Sequence, residues 1–495
     1  MRHAKTIATR RNPKPRKLMK YHIISLGCQM NQSDTERVKT VLHSMGYSPT
    51  DDEHEASILG VIACSVRQKA IDKVYSRIAK WNRLKNRKNL ITFVSGCILP
   101  SDGEKFLKLF DLVFPMSELP DLPQMVSQYG IVTPSSLQFF SGEIVKPQPV
   151  TKDSGAQAGI LQPVSIKGKP ASLKLNPGVD IDRFWHVDPT YSSDFEAFIP
   201  IQNGCDKFCS FCAVPYTRGR EVSRPSAEII GELKQLVENG CKSITLLGQN
   251  VNSYGLDKKG QEVSFTELLR FVGQYGDASG HEFWVYFTSP HPRDMTDEVI
   301  EVIAQYRCLA KQIHLPVQSG DDHVLLRMNR KHSMEKYRHI MHTIRTLLPE
   351  ATVFTDIIVG FTGETDEQFE NTRKAMEVFK YNMAYIAQYS VRPGAASSRW
   401  EDDVPADVKK ARYHILSQEL LKHSLPFNRQ LVGKTVRVLV RGNDRKQGYL
   451  SAHTEGRIVV RFAADDNSLI GQFIDLRITS ATPLSVEGEM VAVDV

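Results

Sequence analysis

The sequence predicts an α/β protein in three parts: an N-terminal open α/β domain, a central βα domain with a parallel sheet that is open or partly closed, and a small C-terminal β-barrel. Three observations carry this. Short β-rich runs alternate with helical runs over residues 21–130 and again over 197–425, the pattern of parallel βαβ units. From Gly433 onward the pattern changes to short alternating β segments separated by Gly442, Gly456 and Gly471, the mark of a small all-β unit. The length, 495 residues with 41% apolar and 24% charged, suits about three ordinary globular domains. A fibrous or largely disordered chain is excluded, and no apolar run approaches the ~18 residues of a membrane span.

The elements follow in order. Residues 1–20 hold four Lys and four Arg and no acid, a charge of +8 that leaves −1 on the other 475 residues. This tail lacks the apolar core of a secretory signal, and Pro13 and Pro15 interrupt an amphipathic transit helix. It reads as a disordered basic segment that adds electrostatic affinity for RNA. Tyr21–Leu26 is a strand ending in Gly27-Cys28, and a helix over Ser33–Met45 stops at Gly46. A second strand, Ile58–Ala63, ends at Cys64; a basic helix follows, with nine Lys or Arg and one Asp in residues 65–88. A third strand, Leu90–Val94, leads to Ser95-Gly96-Cys97. Residues 131–196, rich in Ser, Gly, Pro, Gln and Lys, read as a linker or insertion. Strands are then expected at Phe198–Gln202, Ser243–Leu247, Phe283–Phe287, Gln312–Leu315, Thr352–Val359 and Met383–Gln388, with helices such as Ala227–Glu238 and Asp366–Phe379 between them. Residues 428–493 form the barrel, with strands at Thr435–Val440, Arg457–Phe462 and Phe473–Ile478. Residues 429–446 carry six Lys or Arg against one Asp, Arg437 and Arg441 among them. Such a barrel suits nucleic acid; a solvated basic face is the alternative.

Eight cysteines, at 28, 64, 97, 205, 209, 212, 241 and 308, are too sparse for a disulfide scaffold. In a cytoplasmic setting, clustered thiols point to metal or catalysis. Cys28, Cys64 and Cys97 each follow a strand, and the C-terminal edge of an open α/β sheet is where ligands collect. Cys205, Cys209 and Cys212 make a Cys-x3-Cys-x2-Cys loop after the first strand of the central domain. Three thiolates at this spacing hold one face of a four-iron cluster and leave one iron open. Structural zinc wants four Cys or His ligands, and the next His is His281. Cys241 and Cys308 stand apart and read as buried spectators.

The Cys-x3-Cys-x2-Cys loop, with Phe211 before its last cysteine, resembles the radical S-adenosylmethionine (SAM) superfamily. Leu26-Gly-Cys-Gln-Met-Asn31, Cys64-Ser-Val-Arg-Gln-Lys-Ala70 and Gly96-Cys97 resemble the N-terminal domain of its methylthiotransferases. Pro215-Tyr-Thr-Arg-Gly-Arg-Glu-Val-Ser-Arg-Pro225, Leu247-Gly-Gln-Asn-Val-Asn252, Leu315-Pro-Val-Gln-Ser-Gly320, Asp356-Ile-Ile-Val-Gly360 with Gly363-Glu364, and Tyr389-Ser-Val-Arg-Pro-Gly394 narrow the match to tRNA methylthiotransferases of the MiaB type. Three features depart from that pattern. Ile62-Ala63 stand where Asn-Thr usually precedes the second cysteine, Thr362 replaces a common Pro, and 131–196 is long.

The resemblance implies a central partial (βα)6 barrel and a TRAM-like RNA-binding barrel. It also implies two [4Fe-4S] clusters, an auxiliary one on Cys28, Cys64 and Cys97 and a radical SAM one on Cys205, Cys209 and Cys212, the catalytic set. SAM contacts are expected at Phe211, Gly248, Gln249, Asn250, Ser289, Gln318 and Asp356; polar residues at strand ends can equally cap the next helix. Arg218, Arg220 and Arg224, with Arg437 and Arg441, are expected to meet RNA, with surface solvation as the alternative. The implied reaction is C2 methylthiolation of N6-isopentenyladenosine next to the anticodon. One SAM donates the methyl group and a second yields the hydrogen-abstracting radical, while the base is drawn out of its stack. Partners are then the tRNA anticodon stem-loop, an electron donor and sulfur- or cluster-supplying proteins, and the enzyme is a monomer with no membrane association. Two rivals stand beside this reading. One keeps the chemistry on threonylcarbamoyl-adenosine tRNA or a ribosomal-protein aspartate. The other is a non-catalytic, metal-containing RNA-binding protein.

Overall fold

The computed structural model describes residues 19–128 and 181–491. Residues 1–18 of the basic tail and 131–180 of the expected insertion lie outside the described residues. Lys20, assigned to the tail from sequence, already opens the first strand.

The N-terminal body is a five-stranded sheet in the order β2-β1-β3-β4-β5. Its long parallel strands are β1 (Lys20–Leu26), β3 (Ile58–Cys64) and β4 (Ile91–Cys97); β2 (Ser48–Pro49) and β5 (Leu112–Val113) are short edges. Every residue of β3 is buried, as a central parallel strand covered on both faces requires. One face packs Val38 and Leu42 of α1 (Gln29–Ser44), the other Val74, Ile78 and Trp81 of α2 (Gln68–Lys85). Helix α1 starts four residues before the expected position. Cys28 is its N-cap, and the Asn31 side chain returns to the Cys28 N–H in a capping box. In the run Gln29–Gln32 only Met30 is apolar, too little to make a period that reveals this turn.

The C-terminal end of the expected linker is not a linker. Ile181 and, on helix α3 (Asp182–Trp185), Phe184 and Trp185 are buried in the N-terminal core beside Leu119 and Leu122. Arg183 forks onto both carboxylate oxygens of Asp121, at 2.8 and 3.2 Å. Apolar side chains embedded in a polar stretch dock there, and composition averaged over the stretch hides them.

Two three-stranded parallel sheets make the central domain: β6 (Glu196–Pro200), β9 (Ser243–Leu247) and β10 (Trp284–Phe287), then β11 (Gln312–His314), β12 (Thr352–Val359) and β13 (Met383–Gln388). Their seam is a single parallel bridge, in which Val285 N–H donates to Cys308 O at 2.7 Å and Ala310 N–H donates to Val285 O at 3.0 Å. Outer helices at Ser226–Glu238, Phe265–Ser279, Asp297–Gln305, Met334–Leu347 and Asp366–Phe379 cover the sheets. The shared core holds Ile244, Leu246, Val285, Phe287 and Val353. Cys241 and Cys308 are buried in this core. The result is a partial barrel whose C-terminal strand edges carry the loops of interest.

The helix Ala406–Arg429 leads to a closed barrel in the order β14-β15-β16-β18-β17. Its strands are β14 (Thr435–Asn443), β15 (Tyr449–Thr454), β16 (Val459–Ala463), β17 (Phe473–Ala481) and β18 (Ser485–Met490). Gly442, expected between strands, sits inside β14 where the register slips past Val440, the bend a barrel corner needs. The barrel docks against the N-terminal ends of the central strands. Trp284 meets Phe473 edge-on with ring centroids 4.6 Å apart, and ion pairs join Arg437 to Glu282 and Arg441 to Glu196. No helix among the described residues is long and apolar enough to cross a membrane.

Candidate cluster and cofactor site

The first triad is built by the N-terminal sheet. Cys64 and Cys97 are register partners at the last positions of β3 and β4, and Cys28 caps α1 beside them. Asn31 joins Cys28, Cys97 and the residue before Cys64. Its Oδ1 accepts from Cys28 N–H at 3.2 Å, and its Nδ2 reaches Ala63 O at 3.2 Å and Cys97 Sγ at 3.9 Å. Because the Ala63 contact uses the backbone carbonyl, the unusual Ile62-Ala63 pair leaves it intact. Gly96 has φ +108, and a Cβ there would lie 2.4 Å from Ala63 O; only glycine lets Cys97 approach its neighbour. The Cys97 thiol donates toward Cys64 and holds the Cys64 pKa low, at about 7. That bond, together with burial, pushes Cys97 up.

The second triad lies in the loop from β7 (Gln202–Asn203), which pairs with β8 (Val222–Ser223), to α4 (Val214–Arg218). Gly204, at φ +81, sits so close to the Arg220 carbonyl that a Cβ would be 2.0 Å from its oxygen. Phe208 lies in the left-handed region at φ 48. A turn beyond β11 braces the loop: Ser210 Oγ donates to Arg327 O at 2.7 Å, and Asn329 Nδ2 donates to Phe208 O at 2.8 Å. Burial, helped by the neighbouring Cys209, pushes the Cys205 and Cys212 thiols up to about 12. A bound cationic cluster reverses that bias, because a coordinating thiol is deprotonated outright.

Both triads fit iron–sulfur clusters by donor chemistry: all six thiols are free and none is committed to a disulfide. Among the described residues no three His, Cys, Asp or Glu side chains are arranged around a single metal ion. Orphaned polar atoms mark the space beside the second triad. Arg330 Nη1 lies 3.5 Å from Cys209 Sγ while its Nε is buried without a partner. Gln202 Oε1, Asn250 Oδ1, Glu221 Oε2 and His291 Nε2 are likewise unmatched. A buried polar group left unpaired costs about 1–3 kcal/mol, so this concentration suits a site that a polar ligand completes.

The expected SAM contacts fall into two groups. Gln249 Oε1 accepts from Gly204 N–H at 2.5 Å, and Asn250 Nδ2 donates to Ser253 Oγ at 2.7 Å. Gly248 and these two follow β9 directly, beside the cysteine loop. Ser289 and Gln318 hold left-handed φ values of 57 and 69, conformations that persist where surroundings over-determine them. Phe211 stacks edge-on with Phe361 at 6.4 Å. Asp356, expected at a strand end, instead sits inside β12, where its Oδ2 meets His314 Nε2 at 2.8 Å.

Four of the five arginines expected at RNA are engaged elsewhere. Arg218 is buried; it forks onto Asp34 of α1 and its Nε donates to Cys97 Sγ at 2.9 Å. Arg224 is buried against Glu228 and Glu232. Arg437 and Arg441 hold the C-terminal barrel to Glu282 and Glu196. Arg220 keeps an exposed guanidinium that pairs only with its near neighbour Asp206 and lies over Phe208. Sequence reveals the positive charge and not the carboxylate that meets it.

Arg218 and Asp34 were not foreseen as partners. Nor was Arg392, whose partly buried charge lies near Cys64 and whose Nη1 is 3.5 Å from Gln68 Oε1. The central domain thus extends one arginine toward each inner cysteine of the first triad. Met30 and Cys28 pack on Phe198 and Leu247, so the strand edges of the two domains face one another.

Residues 199–376 match the Radical SAM superfamily model, residues 20–115 the model described as Uncharacterized protein family UPF0004, and residues 429–491 the TRAM domain. The chain is 36% identical over 479 residues to a tRNA-2-methylthio-N(6)-dimethylallyladenosine synthase of Aeromonas salmonicida (strain A449), covering 95% of this chain and 92% of that one. It is 34% identical, with the same coverage, to the protein of that name from Shigella boydii serotype 4 (strain Sb227). Among solved structures, the radical S-adenosylmethionine methyltransferase TsrM from Kitasatospora setae, with tryptophan and a SAM analogue bound, shares the fold. Its TM-score is 0.52 at 12% identity, over 86% of this chain and 79% of that one.

Proposed function

The chain belongs to the radical SAM methylthiotransferases, the family of the tRNA-2-methylthio-N(6)-dimethylallyladenosine synthases, and we propose that it methylthiolates C2 of N6-isopentenyladenosine next to the anticodon of tRNA. Its cofactors are SAM and [4Fe-4S] clusters. In this reading Cys205, Cys209 and Cys212 hold the radical SAM cluster, and Cys28, Cys64 and Cys97 hold the auxiliary one. When bound, these cofactors supply one-electron chemistry that removes a hydrogen from carbon and the methylthio group that replaces it.

The observation that carries the reading is the facing of the two triads across one domain interface, with Arg218 bonded to Cys97 from the helix that follows Cys212. The residues themselves orient. Gln249 anchors the cysteine loop at Gly204, and the left-handed turns at Ser289 and Gln318 set the backbone beyond β10 and β11. Asn31, Arg218 and Arg392 surround the auxiliary thiols with N–H donors and positive charge, which favours the thiolate form needed for ligation. SAM is read by Phe211, Gly248, Gln249, Asn250, Ser289 and Gln318, with Asp356 deeper in the barrel. Outside the cavity, the exposed Lys69 and Lys73 of α2 and Arg220 offer phosphate contacts to the stem-loop. The enzyme acts as a cytoplasmic monomer, with separate proteins donating electrons and rebuilding the sulfur-bearing cluster.

Nucleoside mass spectrometry of isopentenylated tRNA, after anaerobic incubation with reconstituted protein, SAM, sulfide and reductant, tests this. A methylthio adduct on isopentenyladenosine is expected. SAM cleavage without that adduct moves the substrate to threonylcarbamoyl-adenosine or a ribosomal-protein aspartate. Zinc without iron defeats the enzyme assignment.

A further inference from the structure

The C-terminal barrel reaches the inside of the central barrel at one turn. Between β15 and β16, residues 454–458 lie against strands of both half-sheets. Tyr286 of β10 donates its hydroxyl to Glu455 O at 3.0 Å, and Lys311 N–H, just before β11, donates to Glu455 Oε1 at 3.0 Å. Thr352 Oγ1 of β12 donates to Gly456 O at 2.7 Å. The turn therefore clamps the seam that the strands themselves close with one bridge.

Arg457 follows at φ 58, a left-handed conformation in which glycine would be free of strain. Its guanidinium lies 4.1 Å over the Tyr286 ring, and Nη2 donates to Thr245 Oγ1 at 2.9 Å. Tyr286 and Thr245 point into the barrel, because their neighbours Val285, Phe287, Ile244 and Leu246 fill the core beneath the helices. Among the described residues Arg457 has no carboxylate partner, unlike Arg437 and Arg441 on the same domain. Across the interior, Asp356 of β12 and Tyr385 of β13 are register partners and share a face. Tyr385 is 52% exposed, and its ring lies 5.6 Å from that of His314, whose Nε2 meets Asp356, so Asp356 and Tyr385 line the interior that Arg457 enters. A strained arginine held over one tyrosine, with a second and exposed tyrosine across the interior, suits an unstacked base, which is held by aromatic faces and guanidinium planes.

We propose that Arg457, supplied by the C-terminal barrel, binds the purine base of the nucleotide substrate inside the central cavity, with Tyr385 as its stacking partner. Arg457 donates to a ring acceptor of the base, and Tyr385 covers its face. The C-terminal domain is then part of the substrate pocket as well as an RNA-binding surface. This rests on the tRNA methylthiotransferase reading given above.

The test compares wild type, Arg457→Gly, Arg457→Lys and Tyr385→Ala as reconstituted holoenzymes with an isopentenylated anticodon stem-loop. Equilibrium binding and steady-state kinetics are both measured. Arg457→Gly removes side chain and strain together, so a folding defect does not explain its loss of binding. Its KM and Kd are expected to rise about tenfold, the loss of a charge-assisted bond, with Arg457→Lys intermediate. A fall in kcat alone, with KM and Kd unchanged, marks Arg457 as structural and overturns the proposal. Wild-type binding without methylthio product sinks the substrate reading instead, and the binding comparison still decides Arg457.

Discussion

Arg218 and Asp34 form a buried ion pair, bonded through both carboxylate oxygens, across the interface of the N-terminal and central domains. Burial opposes the Arg218 charge; Asp34 and Cys97 outweigh it and hold the guanidinium firmly protonated. The same guanidinium touches the sulfur of Cys97, so one side chain both joins the domains and fixes the Cys97 thiol. Removing one partner leaves the other charged and buried, a cost of about 3–5 kcal/mol. Asp34→Ala is therefore expected to loosen the interface, read as faster proteolysis between the domains. The double change Asp34→Leu with Arg218→Met should be milder than either single change. Additive losses would show that the pair carries no coupling.

The two triads should separate by iron content. Cys205→Ala is expected to abolish SAM cleavage and to lower iron from about eight to about four per chain. Gly96→Ala forces a Cβ against Ala63 O and should cost a similar amount of iron while SAM cleavage continues. Full iron in Gly96→Ala would mean the β3–β4 edge relaxes without harm.

Strain at Ser289 gives a prediction of opposite signs. Its φ of 57 disfavours any residue with a Cβ. Ser289→Gly should stabilise the fold by about 1 kcal/mol and weaken SAM binding. Unchanged SAM affinity would reduce Ser289 to a turn residue.

RNA affinity distinguishes free from committed cations. Lys69 and Lys73 are exposed on α2, so Lys69→Ala with Lys73→Ala should weaken binding and flatten its salt dependence by about two ion equivalents. Arg437→Ala, whose guanidinium already serves Glu282 and Asp475, should leave affinity within about twofold. The reverse ranking, seen in filter binding across salt, would place the RNA on the C-terminal barrel alone.

Acid should loosen the C-terminal barrel through His453. Burial first, then Arg441 and Arg457, lower its pKa from 6.5 to about 4. The unfolded chain binds a proton that the folded one refuses, so stability is intact above about pH 6.5 and falls as pH drops toward 4. The slope is about 1.4 kcal/mol per pH unit for one proton. His453→Gln should remove that share of the slope from urea-unfolding midpoints measured between pH 7 and 5; an identical slope would mean His453 is solvated.

Much of this architecture was legible in the sequence because its signals are local. Ser243–Leu247, Thr352–Val359 and Met383–Gln388 form strands with the expected bounds, since apolar runs and their breakers lie within a few residues. The placing of a cysteine at the C-terminal end of each of three strands was equally visible; Cys64 and Cys97 prove to be the last residues of their strands and Cys28 lies just beyond its own. Arg218 with Asp34 was not, because 184 residues separate them and no local pattern encodes such a pair. Arg224, Arg437 and Arg441 were assigned to RNA because a sequence shows charge without its counter-charge. Arg457 was passed over as one strand residue among many; its left-handed turn is held by Thr245, Tyr286, Lys311 and Thr352 of another domain.

The N-terminal core is assembled from two stretches far apart in sequence. The helix Leu122–Ser127 and the residues Ile181, Phe184 and Trp185 share it, and Arg183 on Asp121 fastens the second stretch to the first. An N-terminal fragment that stops at residue 128 therefore lacks Ile181, Phe184 and Trp185 and leaves Leu119 and Leu122 without the side chains that pack beside them.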